Sequence, residues 1–119
     1  MPYATVVRPS EYVVEETPWG SLTWFVNATQ GGSLTLTVGR CAIRPGCANP
    51  RHHHPNCDEV LHVLQGEIVH AVGDAEIPMQ AGDTISIPSA LAHSARNTGA
   101  CDAILLICFS SAKRETVGE

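Results

Sequence analysis

The feature that most constrains this chain is a succession of short apolar runs with a repeat of two, each closed by a turn signal. Ser21 to Ala28, Leu34 to Ile43, Val60 to Gln65, Ile68 to Val72, Thr84 to Ile87 and Ala103 to Phe109 are rich in Val, Ile, Leu, Thr and aromatic residues. Such residues suit a pleated, half-buried surface. Between the runs stand Gln30-Gly31-Gly32, Arg44-Pro45-Gly46, Val72-Gly73-Asp74, Gln80-Ala81-Gly82-Asp83 and Asn97-Thr98-Gly99. These are turn formers, because Gly tolerates positive φ, Pro presets φ, and Asn and Asp side chains bond to nearby backbone. No stretch of about eleven residues carries a helical stripe. The pattern predicts an all-β barrel or sandwich, with all 119 residues in one domain. Residues 112–119 read as a frayed polar tail.

Composition narrows the function. At 44% hydrophobic and 16% charged residues the chain can fill a core. A net charge of −5, with seven basic residues that nowhere cluster, argues against nucleic acid or an anionic membrane as partner. No stretch approaches the ~18 apolar residues of a membrane span, and the N-terminus lacks the apolar segment of a signal peptide. The expected location is cytoplasmic. The five cysteines, Cys41, Cys47, Cys57, Cys101 and Cys108, are odd in number and irregular in spacing, which fits a reducing compartment better than a disulfide framework. Cys41 and Cys108 lie inside apolar runs and are expected to be buried.

Chemistry concentrates between Gly46 and Gly66, GCANPRHHHPNCDEVLHVLQG. Side chains alternate in an extended chain, so His52 and His54 project to one side and His53 to the other. After the Pro55-Asn56 turn, Glu59 opens a run expected to return antiparallel to the first strand and bring its carboxylate back to the imidazoles. His93, beyond a second turn-rich stretch, would complete a set of four ligands. Three imidazoles and a carboxylate suit one divalent transition metal, Zn, Fe, Mn, Co, Ni or Cu.

The spacing of these residues resembles the two motifs of the cupin superfamily. Gly46, five residues, His52-x-His54, four residues, Glu59, six residues and Gly66 resemble the first motif throughout. Gly82, five residues, Pro88-x-Ala90, two residues, His93, three residues and Asn97 resemble the second. Ala90 stands where the family usually has glycine, which matters if that turn needs positive φ. The resemblance covers residues 46–97 and is similar to that of a small, single-domain cupin. It implies an antiparallel, double-stranded jelly-roll barrel with His52, His54, Glu59 and His93 around a metal in one mouth. It also implies a homodimer in which an N-terminal arm over residues 1–20 packs across the contact, with Tyr12, Val13, Val14 and Trp19 as candidates.

Other residues carry weaker expectations. His70 is a candidate general acid or indirect metal partner, beside the plainer reading of a satisfied histidine. Arg44 is a candidate clamp for a substrate carboxylate, beside the plainer reading of a rim salt bridge. His53 and His62 are expected outside the barrel, and Trp24 in the core or pocket wall. A structural zinc site using Cys47 and Cys57 is disfavoured by their wide spacing. The function expected is Lewis-acid catalysis on a small oxygen-rich molecule, of isomerase, lyase or cyclase type. An Fe(II) dioxygenase and a non-catalytic, metal-dependent binding module are the alternatives.

Overall fold

Strands alternate inward and outward residues, and a chain with this many short apolar alternations can bury its inward set only between two sheets. A computed structural model describes residues 4–119. The first three positions of the expected N-terminal arm lie outside the described residues. In chain order the strands are β1 (Val13–Glu16), β2 (Gly20–Val26), β3 (Thr37–Ile43), β4 (His52–His53), β5 (Glu59–Gln65), β6 (Glu67–Val72), β7 (Ala75–Gln80), β8 (Thr84–Ile87), β9 (His93–Asn97), β10 (Ala103–Phe109) and β11 (Val117–Gly118). A single 3-10 turn at Pro9–Glu11 precedes them. One sheet has the order β1-β2-β3-β10-β5-β8 and the other β11-β4-β9-β6-β7. Every strand pairing is antiparallel. This is the expected jelly-roll barrel.

The core lies between the sheets. Ile43, Val63, Ile68, Ile87 and Leu105 are almost wholly removed from water, with Leu61, Ile107 and Phe109 close behind. Each such side chain contributes roughly 1.5–3 kcal/mol over an exposed one. Gly39 makes room for the wall. A Cβ at that position would stand 2.6 Å from the ring of Trp24 and 2.6 Å from the Thr23 carbonyl oxygen, so the indole packs flat over β3 only because no side chain is there. The motif residue Asn97 is a buried clamp. Its Nδ2 donates to the carbonyls of Ile43 and Cys101, and its Oδ1 accepts from Gly99 N–H.

Several expectations need correction. β4 and β5 are not hydrogen-bonded neighbours: the Pro55-Asn56 turn carries the chain across the barrel, so Glu59 meets the histidines from the opposite sheet. Residues 112–119 are not frayed, since β11 pairs with β4 in the register Val117 with His53 and Gly118 with His52. Asn56 ties the tail down, with Nδ2 donating to Lys113 O and Oδ1 accepting from Glu115 N–H. Cys41 is buried, but Cys108 is only half-buried because it points to the outer side of β10. β7 went unforeseen because of Pro78, which sits on an edge strand with its side exposed, where a missing N–H costs little. No helix among the described residues is long and apolar enough to cross a membrane.

Ala90, in the position the motif usually gives to glycine, has φ of 66°. Its N–H donates to His54 O at 2.9 Å, so the surrounding structure holds it there. Relief of left-handed strain in a residue bearing Cβ, offset by the entropy of a freer unfolded chain, predicts that Ala90→Gly stabilises the protein by about 0.5–1 kcal/mol. Thermal unfolding should show a midpoint a few degrees higher. A lower midpoint would mean that the turn carries no strain.

Candidate metal centre

Four side chains from both sheets converge at the barrel's mouth. His52 lies on β4, His54 directly after it, His93 opens β9, and Glu59 opens β5 in the facing sheet. β4 and β9 pair with His52 opposite His93, so the antiparallel ladder itself sets two imidazoles side by side. The four offer ligand atoms that lie within 4.8 Å of one another. Glu59 Oε1 stands 3.0 Å from His93 Nε2 and 3.3 Å from His54 Nε2. Among the described residues no cysteine joins this group, which removes the Cys47 and Cys57 zinc site.

The hydrogen bonds behind the rings decide which nitrogens face inward as lone pairs. His52 Nδ1 meets Pro50 O at 2.7 Å, His93 Nδ1 meets Leu91 O at 2.8 Å, and His54 Nδ1 meets Glu115 O at 2.9 Å. A carbonyl only accepts, so each Nδ1 carries a proton, and a ring that holds no second proton turns an Nε2 lone pair to the centre. Those lone pairs face a carboxylate, which also only accepts. His54 Nε2 is buried without a hydrogen-bond donor. Burial would by itself raise the Glu59 pKa, but the neighbouring His54 and His93 hold it down to about 2, so the carboxylate is charged at neutral pH. Burial lowers the affinity of His93 for a proton, yet Glu59 outweighs this and the pKa rises. Proton and metal therefore compete for the same lone pair. Acceptors converging on a buried negative charge are what a divalent cation satisfies, and the residues present fit one.

The site opens into a cavity of about 400 Å³. Its walls include Leu22, Trp24, Leu61, Leu105, Ile107 and Phe109, apolar apart from a few groups at the floor and rim. His70 lines it from β6, 1% exposed, with Nδ1 buried and without a hydrogen-bond partner among the described residues, and its ring 5.8 Å from that of His93. Burial first, then the His93 charge, push its pKa down to about 4. His70 is thus a neutral imidazole inside the pocket. Cys41 also lines the cavity, but burial pushes its thiol up to about 12, so it stays protonated and inert.

Arg44 is elsewhere. Its Nη2 donates to the carbonyls of Thr17 and Pro18, bracing the turn before β2, and it does not line the cavity. His53 and His62 are outside it too, the latter with Nδ1 2.7 Å from Thr84 Oγ1. Trp19 and Trp24 are in the wall, whereas Phe25 stacks with Tyr12 on the other side of β2, ring centroids 4.5 Å apart. The residues that sequence reasoning passed over are in the tail. Arg114 and Thr116 line the cavity and Glu115 supplies the carbonyl behind His54. Nothing in a short polar run distinguishes such residues, because the pairing of β11 with β4 that brings them in has only two residues on each strand.

Residues 39–109 match the family model described as Cupin domain. The chain belongs to the cupin family. Among curated cupin relatives it is 33% identical over 87 residues to the putative germin-like protein 3-4 of Oryza sativa subsp. japonica, covering 66% of this chain and 38% of that protein. It is 31% identical over 87 residues to oxalate oxidase 1 of Hordeum vulgare, covering 66% and 43%. With protein SchB of Streptomyces halstedii the figures are 29% over 87 residues, 73% and 63%. The chain thus spans between about two fifths and just under two thirds of these relatives' lengths. Among solved structures, an oxalate decarboxylase of Bacillus subtilis superposes with a TM-score of 0.88 at 24% identity, over 99% of this chain and 33% of that one, and shares the fold. An oxalate oxidase in complex with the substrate analogue glycolate superposes at 0.78 with 26% identity, over 87% and 57%.

Metal removal tests the centre. A ligand at one hundred times its Kd stabilises the native state by about 2.7 kcal/mol, so a chelator should lower the thermal midpoint of metal-loaded protein by several degrees. In His93→Ala the midpoint should no longer respond to chelator. Full metal content in the His52→Ala, His93→Ala double variant would refute the assignment. Deleting residues 114–119 should cost roughly 10–100-fold in metal affinity, the usual loss when a ligand's hydrogen-bond partner is removed. Equal affinity would show that Glu115 O does not orient His54.

Proposed function

We propose that this cupin is a metal-dependent enzyme of isomerase, lyase or cyclase type acting on a small oxygen-rich molecule. The observation that carries the reading is the convergence of three Nδ1-pinned imidazoles and a buried carboxylate at the floor of an open, largely apolar cavity. A structural metal site needs no such cavity, whereas a catalytic one needs room for substrate. A divalent cation held by His52, His54, Glu59 and His93 would supply Lewis acidity, polarising a substrate oxygen and stabilising negative charge that develops on it.

The chain's own residues supply the rest. Glu59 offers its charge to the centre from the facing sheet, where it would offset part of a divalent cation's charge. The apolar wall formed by Trp24, Leu61, Leu105, Ile107 and Phe109 excludes water and lowers the local dielectric, so that each polar contact made inside counts for more. His70 holds an unpartnered Nδ1 in this wall, uncharged at neutral pH. A neutral imidazole whose ring nitrogen lacks a protein partner can accept a proton from a bound substrate, or return one to it, without first breaking a hydrogen bond. We assign His70 that role.

A second reading has a specific observation behind it. The likeness to barley oxalate oxidase 1 at 31% identity favours oxygen-dependent chemistry, including the dioxygenase class when a redox-active metal is held. Five unpaired cysteines accord with a cytoplasmic location. Val13 and Val14 are exposed on β1 at the edge of the six-stranded sheet, which supports a homodimer formed there. A monomer in sedimentation at micromolar concentration would remove the dimer.

Turnover of small hydroxy and keto compounds by protein loaded in turn with Zn(II), Mn(II) and Fe(II) separates the readings. Turnover with Zn(II) or Mn(II) that ignores oxygen supports the proposal, and turnover only with Fe(II) and O2 supports the second. Ligand binding without turnover under any condition would make the protein a binding module. His70→Phe should lower kcat by roughly 10²–10⁴ with metal content unchanged, the range for a lost acid or base. Unaltered kcat would reduce His70 to a packing residue.

A further inference from the structure

One cation in the cavity has no carboxylate to neutralise it. Arg114 lies half-buried between β10 and β11 and lines the same cavity as the metal centre. Its guanidinium carbon is 4.2 Å from the ring centroid of Trp24 and 5.2 Å from that of Phe109. Two aromatic faces hold the group in one orientation and shield it from solvent. Nη1 donates to Thr116 Oγ1 at 2.5 Å, and the same oxygen is 3.2 Å from His54 Nδ1. Among the described residues no carboxylate oxygen comes within 4.0 Å of it, although Arg51 and Arg96 each have one, at 3.2 Å. Glu15 reaches the cavity rim from β1 and is its principal electrostatic neighbour, without forming an ion pair. Burial lowers the Arg114 pKa, the sign of a cation paying for desolvation without full compensation.

A guanidinium presents five N–H donors in a planar fork that matches a carboxylate. Here one donor is spent on Thr116 and the rest have no acceptor among the described residues. A half-buried cation in that state is free to pair with an anion that enters the cavity. The ring of Phe109 also fixes spacing. It lies edge to face against His54, centroids 4.9 Å apart, with Arg114 on its other contact. One phenyl ring thus borders both the metal centre and the guanidinium.

We propose that Arg114 is the substrate-positioning residue of this cavity, and that the ligand is a small acid whose carboxylate pairs with Arg114 while a second oxygen function, a short carbon chain away, faces the metal centre. The second half of this statement rests on the metal-dependent reading above, and the first half does not. The phenyl ring beside both places favours a longer acid over two directly bonded carboxylates, as in oxalate. The role that sequence alone offered to Arg44 falls to a residue of the tail. Because Arg114 is linked through Thr116 to the back of His54, the group that would hold the acid also borders the group that orients a metal ligand.

Calorimetric titration of the full chain, with and without Zn(II), tests this. The probes are acetate, oxalate, malonate, succinate and glutarate, with succinamide and 1,4-butanediol as uncharged matches. In the wild type, succinate or glutarate should bind at least tenfold more tightly than the uncharged matches and more tightly than oxalate. Arg114→Met keeps the length and packing of the stem without the charge. It should lose at least tenfold in affinity for the longer diacids and leave the binding of their uncharged matches and the Zn(II) content unchanged. Arg114→Lys should recover part of the loss, since it restores charge but not the fork.

Equal affinity of wild type and Arg114→Met for every diacid would overturn the proposal, as would wild-type binding of succinamide as tightly as succinate. Oxalate binding as tightly as glutarate would overturn the spacing. If Arg114→Met does not fold, the wild-type comparison of charged with uncharged probes still decides. If the protein takes up no Zn(II), the metal reading fails, and the contrast between zinc-free wild type and Arg114→Met still decides the role of Arg114.

Discussion

Three backbone carbonyls set the chemistry of this barrel. Pro50, Leu91 and Glu115 each accept from an Nδ1, so a ring with only one proton carries it there and turns Nε2 inward. The consequence is three inward lone pairs converging on the charged oxygen of Glu59, which is 5% exposed. A buried anion surrounded by acceptors is unfavourable by several kcal/mol unless a cation joins it. The protein alone can respond only by placing a proton on His93, which is the direction in which that group's pKa moves. A divalent cation satisfies all four groups together. The fold thus builds a local shortage of positive charge and holds it open.

What sustains that shortage is the arrangement of the two sheets. Had β4 and β5 formed a hairpin, the histidines and Glu59 would share one sheet surface and stay close to solvent. The crossing at Pro55-Asn56 instead sets the carboxylate on β5, between β10 and β8, and the imidazoles on the facing sheet. The centre therefore spans the gap between the layers, where water is scarce. The residues that close the gap come from the tail, through Glu115 behind His54 and the short ladder of β11 on β4. Packing between the sheets and the geometry of the centre are consequently coupled, as expected where metal binding contributes to folding.

The same division explains what was legible in the sequence. Strands with strong alternation, such as Ala103 to Phe109, announce themselves, because every second residue must be buried. The four candidate ligands were legible from spacing, since His52 and His54 share a face wherever the backbone is extended. Strands β4 and β11 were not, because two residues carry no period. β7 was hidden by Pro78, whose place on an edge depends on which strand is its neighbour, a fact of tertiary structure. Arg44 and Arg114 show the limit most directly. Both are single arginines in connections between strands, and only the path of the chain decides that one braces a turn and the other lines the cavity.

On the proposed reading, metal affinity and substrate choice are carried by different side chains, although the tail serves both through Glu115 O and Arg114. The ligands and the carbonyls behind three of them settle how tightly a cation is held, but imidazole and carboxylate donors do not by themselves select one transition metal over another. On that reading, selection of substrate would belong to the walls: the aromatic pair Trp24 and Phe109, His70, and Arg114. These lie on β2, β10, β6 and the tail, none of which contributes a ligand. A change in any of them can alter which molecule enters while the four-ligand set stays intact. This separation is a physical reason why one barrel with one set of donors can support different chemistries, and why the identity of the reaction has to be sought in the cavity wall.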